Sequence, residues 1–101
     1  MGVFLSFNRE DDKAAKELAR RLELTGESVE FERELPYGEK GWPAAVGKSI
    51  AANGAFVLIW SENAAISHII EFEYNMAVLL KRAIFVIPVD ESPLALSLIH
   101  I

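Results

Sequence analysis

Ala55-Phe56-Val57-Leu58-Ile59-Trp60 is an unbroken apolar run held between Gly54 and Ser61, and its reading decides the fold. The run is too short for an ordinary helix and rich in β-branched and aromatic side chains, which predicts a central strand buried on both faces. Such a strand needs cover on both sides, and the flanking sequence supplies it at regular intervals. Upstream, Val3-Phe4-Leu5-Ser6-Phe7 reads as another largely buried strand. Asp11 or Asp12 then caps a helix in which Ala15, Leu18, Ala19 and Leu22 share one face, Lys13, Lys16, Glu17, Arg20 and Arg21 face water, and Gly26 is the stop. Residues 28–31 form a weaker strand, and the loop that follows, with Pro36, Gly38 and Gly41, forbids a regular element. Pro43 opens a second helix with Trp42, Ala45, Val46, Ser49 and Ile50 along one face, halted by Asn53-Gly54. Downstream of the central strand come a loop over 61–65, a third helix over 66–82, a buried strand over 83–89 that ends near Pro88, and a tail over 94–101 ending in an edge strand.

Strands that alternate with helices specify a parallel sheet with right-handed crossovers and helices on both faces. The expected architecture is therefore a single α/β domain over 1–101, a flavodoxin-like three-layer sandwich with about five strands in the order 2-1-3-4-5. In such sheets ligands bind beyond the carboxyl ends of the strands, where the strand order reverses. That rule selects two loops: the one after Phe7, with Asn8 and Arg9, and the one after Trp60, over 61–65.

Composition removes several classes of function. The net charge of −5, from 15 acidic and 10 basic residues, repels phosphate backbones and anionic membranes, so no nucleic acid and no membrane partner is expected. With no cysteine and two histidines, thiolate sites, cysteine nucleophiles and a structural metal are not expected. No apolar run approaches the roughly 20 residues that span a bilayer, and the first strand runs straight into Asn8-Arg9-Glu10-Asp11-Asp12, unlike a signal peptide. The expectation is a cytoplasmic domain. No Gly-x-Ser-x-Gly elbow, phosphate-binding P-loop or Gly-x-Gly-x-x-Gly fingerprint is present, and the end of the third strand reads Trp60-Ser61, where a phosphorylation receiver needs an aspartate. His68 and His100 receive no role.

One residue is out of place. At about 100° per residue the third helix puts Ile66, Ile69, Ile70, Met76, Ala77 and Leu80 on one stripe, widened by Phe72 and Leu79. Glu73 falls in the middle of that stripe, whereas Glu71 points to the opposite side and is solvent decoration. A carboxylate there is costly unless it is hydrogen-bonded, paired, or exposed in a cleft at the end of the sheet. On periodicity alone Glu73 also fits pairing with an arginine such as Arg9, or leaning to the helix edge. Asn8 and Arg9 equally fit turn residues, and Pro36-Tyr37-Gly38 with Trp42 fit either a turn and helix anchor or a partner-binding loop.

Taken together, these segments resemble the Toll/interleukin-1 receptor (TIR) domain, most closely the bacterial type, over almost the whole chain. Val3-Phe4-Leu5-Ser6-Phe7-Asn8-Arg9-Glu10-Asp11 resembles the family's first box, and Arg33-Glu34-Leu35-Pro36-Tyr37-Gly38 its BB loop. Val57-Leu58-Ile59-Trp60-Ser61 resembles the third strand with its serine, and Ser67-His68-Ile69-Ile70-Glu71-Phe72-Glu73 the Ser-x-Trp-x-x-x-Glu segment, with Ile69 in place of the usual Trp. The resemblance implies an NAD+ glycohydrolase that releases nicotinamide and ADP-ribose or a cyclic variant, with Glu73 catalytic. It also implies substrate contacts from Phe7, Asn8, Arg9, Leu35 and Ile69, an interface at Pro36, Tyr37, Gly38 and Trp42, and no cofactor beyond NAD+ as substrate. The implied partners are NAD+ and further copies of the domain, since assembly activates such enzymes in antiphage defence or signalling. Family domains continue into a last helix, which implies truncation at Ile101 or excision from a larger protein. The alternative is a non-catalytic TIR scaffold. The enzymatic reading requires the carboxylate of Glu73 at a crevice above the sheet; a carboxylate sealed in the interior, or turned to the far flank away from Arg9, leaves only an assembly role.

Overall fold

The computed structural model describes residues 2–31 and 41–91, with Trp42 described by its backbone alone. Among these residues the elements run β1 (Gly2–Ser6), α1 (Asp12–Leu24), β2 (Ser28–Glu30), α2 (Trp42–Ala52), β3 (Ala55–Trp60), α3 (Glu62–Ala65), α4 (His68–Leu79) and β4 (Ala83–Pro88), with a 3-10 turn over Arg9–Asp11. All strand pairs are parallel, in the order β2-β1-β3-β4. This is the expected α/β architecture, with four strands among the described residues. The fifth strand, expected within 94–101, lies outside them.

The sheet separates two apolar layers. Phe4, Phe56, Leu58 and Trp60 point to one side, where α2 and α4 bring Val46, Ile50, Ile70, Tyr74 and Ala77 against them. Phe4 and Phe56 are register partners, and their rings stack with centroids 5.7 Å apart and planes within 6°, an arrangement worth about 1 kcal/mol beyond burial. Val3, Leu5, Phe7, Val57 and Ile59 point to the other side, where α1 lays Ala15, Leu18, Ala19 and Leu22 over them. The period-2 alternation of two neighbouring strands thus feeds both layers at once, which is why both read as continuous apolar runs.

At the amino end of the sheet, Asn53 closes the structure. Its Nδ2 donates to Glu30 Oε1 and to the Ser49 carbonyl, both at 2.7 Å. A Cβ on Gly2 would stand 2.1 Å from Asn53 Oδ1, so the first residue of β1 has to be glycine for the side chain to sit there. The stop after α1 is also a glycine, Gly26, at φ 95°.

The structure corrects three expectations. The expected helix over 66–82 is α4 alone, beginning at His68, and a separate helix, α3, occupies the expected loop at 61–65, because Ser61 and Ser67 each stand in extended backbone and accept from the N–H three residues on, at Ala64 and Ile70. Each serine is an N-cap, so part of the expected loop at 61–65 is helical and Ile66 lies between the helices, 78% exposed instead of on the core stripe. The end of α4 comes early: Lys81 takes φ 56°, with Lys81 N–H bonded to Val78 O and Arg82 N–H to Ala77 O. Leu79, expected to widen the core stripe, lies off the Ile70, Glu73, Tyr74 and Ala77 face and is exposed. The second correction concerns β4, where Ile84 and Val86 join the α4-side core while Phe85 and Ile87 remain on an exposed face, so the strand is buried on one side. Third, Asp11 precedes α1 but makes no side-chain cap bond; Asn8 caps the 3-10 turn ahead of it, accepting from Glu10 N–H at 2.9 Å.

Candidate functional site

The strand order reverses between β1 and β3, and the residues leaving their carboxyl ends, Ser6 through Asp11 and Trp60 through Asn63, are drawn together there. Asn8 Nδ2 donates to the Asn63 carbonyl at 3.2 Å. Ser61 Oγ donates to Asp11 Oδ2 while accepting from Ala64 N–H at 3.1 Å, so one hydroxyl caps α3 and ties it to the first loop. On the far side of β3, Glu62 N–H donates to Asp90 Oδ2 at 2.8 Å and Val89 N–H to the Trp60 carbonyl at 2.9 Å. The loops selected by topology are therefore fixed to one another by side chains.

Glu73 lies beneath this seam. The core-facing residues of α4 are Ile70, Glu73, Tyr74 and Ala77, the i, i+3, i+4, i+7 pattern of one helix face, so the carboxylate is carried into the apolar layer by the same periodicity that buries its neighbours. It meets the carboxyl end of β1: Ser6 Oγ donates to Glu73 Oε1 at 2.6 Å. Glu73 is 5% exposed and Ser6 1%. The sequence places Glu73 correctly on the stripe and at the correct end of the sheet. Of the alternatives open on periodicity, leaning to the helix edge is ruled out; an open cleft is not found either, since the carboxylate is covered.

The surroundings amplify whatever that carboxylate does. Phe4, Leu58, Trp60, Ile70 and Tyr74 make a low-dielectric layer around the end of β1, in which a charge is poorly screened and acts more strongly on a neighbouring charge than it does in water. Burial likewise pushes the Tyr74 hydroxyl above its ordinary value, which keeps it neutral.

The other expected site residues fall in different places. Phe7 is buried on the opposite side of the sheet, in the α1 layer, with its ring edge-on to Phe31 at 5.4 Å; its side chain is not brought to Glu73. Arg9 is exposed on the 3-10 turn, and Asn8 is half-buried in the seam. Ile69 is half-buried at the margin of the α4-side core. Leu35, Pro36, Tyr37 and Gly38, and the side chain of Trp42, lie outside the described residues. Ser6, Asp11, Ser61 and Asn63 carry the polar contacts of the site, and sequence reasoning gave them no such role. The available signal was a serine alternating with Phe4 inside a buried strand and another closing an apolar one.

Comparisons with known proteins agree with this architecture. The family model described as TIR domain matches residues 3–100. No curated protein matches the chain. Among solved structures, the TIR domain of the Toll-related receptor TRR-2 from Hydra magnipapillata is similar over 97% of this chain and 78% of that one, with a TM-score of 0.82 and 16% identity. At that identity the likeness speaks for the fold.

Proposed function

Since the chain belongs to the TIR domain family, we propose that it is a self-assembling NAD+ glycohydrolase in which Glu73 is the catalytic carboxylate. The observation that carries this reading is an acidic side chain placed inside an apolar layer at the carboxyl end of β1, where the strand order reverses and this class of sheet binds ligands. A carboxylate there is costly, and the cost is understandable where a cation is to be stabilised.

The chemistry suits one acid. Nicotinamide is bound to the ribose as a cationic pyridinium, so when the C1′–N bond breaks the electron pair goes to the nitrogen and the leaving group departs neutral. No general acid is required, in contrast to the paired carboxylates of ordinary glycosidases. Positive charge develops on the ribose, and an ionised Glu73 stabilises it across a medium that screens poorly. Water then adds to C1′ to give ADP-ribose and a proton. Ile69 replaces the usual Trp of the segment, so the nicotinamide or ribose is held without an aromatic platform at that point.

At 5% exposure Glu73 is in the sealed position expected of an assembly role alone and is not open to a dinucleotide, so the glycohydrolase reading stands only with rearrangement over Glu73 when copies assemble, and concentration is the decisive variable. The same burial favours a second reading, a TIR module that signals by homotypic contact without catalysis. Nicotinamide release across a range of protein concentrations, in parent and Glu73→Gln, separates them. The enzyme reading expects activity per copy to rise with concentration and the variant to lose about 100-fold or more. Equal turnover in the variant refutes the role of Glu73, and no release from assembled parent protein leaves the scaffold.

A further inference from the structure

The hydroxyl of Ser6 stands 2.6 Å from Glu73 Oε1, the two residues being 67 apart in sequence and both buried. Ser6 lies on the side of β1 that otherwise carries Phe4, facing α4, at a position where its register partner on β3 is Leu58. A buried strand position flanked by Phe4 and Leu58 is an apolar position by pattern, and a serine is there at the expense of packing. Its hydroxyl neither pairs strands nor caps a helix. We propose that Ser6 is a positioning residue of Glu73, holding one carboxylate oxygen so that the side chain keeps both its rotamer and its ionised form inside the apolar layer. This rests on the glycohydrolase reading for its consequence in turnover, but the contact itself has a readout independent of that reading.

The physical argument has two parts. A glutamate side chain has three rotatable bonds, and a strong donor on a rigid strand restricts that freedom and so helps to keep the geometry that electrostatic stabilisation requires. Desolvation also favours the protonated acid, and a hydroxyl donating to the carboxylate opposes this. Among the described residues of the elements packed against α4, β1 and β4 hold no ionisable side chain and α2 holds Lys48, which is exposed. On α4 itself His68 and Glu71 are exposed and Tyr74 is buried, and on the adjoining turn Arg9 and Glu10 are exposed while Asp11 is held by Ser61.

The test uses the full chain with Ser6→Ala, with Ser6→Cys, which keeps the shape but weakens the donor, and with Ser6→Thr, which keeps the hydroxyl. Steady-state NAD+ cleavage by assembled protein is expected to show kcat lowered about tenfold or more in Ser6→Ala, less in Ser6→Cys, with KM for NAD+ within about twofold, and recovery in Ser6→Thr. In parallel, the 13C carboxyl resonance of Glu73 is titrated by NMR. Its midpoint is expected to rise by about 1 to 2 pH units in Ser6→Ala relative to parent and to return in Ser6→Thr. An unchanged midpoint in both Ser6→Ala and Ser6→Cys overturns the inference, as does unchanged kcat in an active protein. If the parent releases no nicotinamide while the midpoint still moves, the glycohydrolase reading has failed and the hold of Ser6 on Glu73 stands.

Discussion

Replacing Ser61 with alanine removes two bonds at once, and their sum can be worked from the structure. Ser61 is 1% exposed at the end of β3, its Oγ accepts from Ala64 N–H at 3.1 Å, and it donates to the Asp11 carboxylate. Loss of an N-cap serine costs about 1 kcal/mol. A hydrogen bond to a charged group is worth about 1.5–3 kcal/mol, but Asp11 is half-buried and regains water when released, so the lower end applies. The expected loss for Ser61→Ala is about 2–3 kcal/mol, or a fall in Tm of about 10–20 °C for a domain of this size. Ser67→Ala is the internal control: Ser67 caps α4 through Ile70 N–H at 3.2 Å, and the variant is expected to lose only the cap, about 1 kcal/mol. Urea denaturation of both variants, and a double-mutant cycle between Ser61→Ala and Asp11→Ala, give the comparison. A Ser61→Ala variant no less stable than Ser67→Ala, or a cycle with no coupling energy, refutes the tie between the two loops.

Two further outcomes are expected. Phe56→Ala, in a position with no exposure, should cost about 3–5 kcal/mol in urea denaturation, whereas Phe85→Ala, 54% exposed on the open face of β4, should cost about 1 kcal/mol; equal costs would mean that this face is covered in solution. On α1, the Glu17 carboxyl is lowered from 4.5 to about 2, first by its hydrogen bond to Arg20 and then by that to Arg21. A depressed folded value means that the stabilisation is present above the unfolded value and disappears as pH falls from about 4.5 towards 2. All three side chains are exposed to solvent, so the effect is small and weakened by salt, and the stability advantage of parent over Glu17→Gln should vanish across that window when both are followed by circular dichroism.

The order of elements was legible because the apolar runs of β1 and β3 are short, continuous and punctuated by glycine, proline and asparagine, and a parallel sheet follows from their spacing with the helices. Glu73 was legible for a related reason: a charge in an apolar stripe contradicts its own periodicity. What stayed hidden were effects that depend on partners remote in sequence. Nothing local distinguishes a serine that ends a strand from one that begins a helix, so the caps at Ser61 and Ser67, and with them the helix α3 inside the expected loop and the later start of α4, required the backbone. The exposed face of β4 is not visible in the sequence because Ala83 to Val89 is apolar at every position, and a strand covered on one side has the same composition as one covered on both when its cover is not in view. The family resemblance implies Phe7 as a substrate contact, but strand alternation sends it to the α1 side while Ser6 faces α4.

The buried polar side chains sort by what each contributes to the fold. Asn53 closes the amino end of the sheet through Glu30 and the Ser49 carbonyl, and Arg82 Nη1 donates to its carbonyl at 3.3 Å. Ser61 ends β3, begins α3 and ties both to the first loop. Their polarity is explained by the structure they hold together. The Ser6–Glu73 contact crosses from a strand to a helix that apolar neighbours on both already join, with Phe4 on one side and Ile70, Tyr74 and Ala77 on the other in a single cluster. Residues of similar volume without charge would make that contact at no desolvation cost, and such replacements of buried polar pairs are often neutral or stabilising. On the glycohydrolase reading proposed above, a carboxylate kept at the carboxyl end of the sheet is the kind of expense that a fold carries for chemistry.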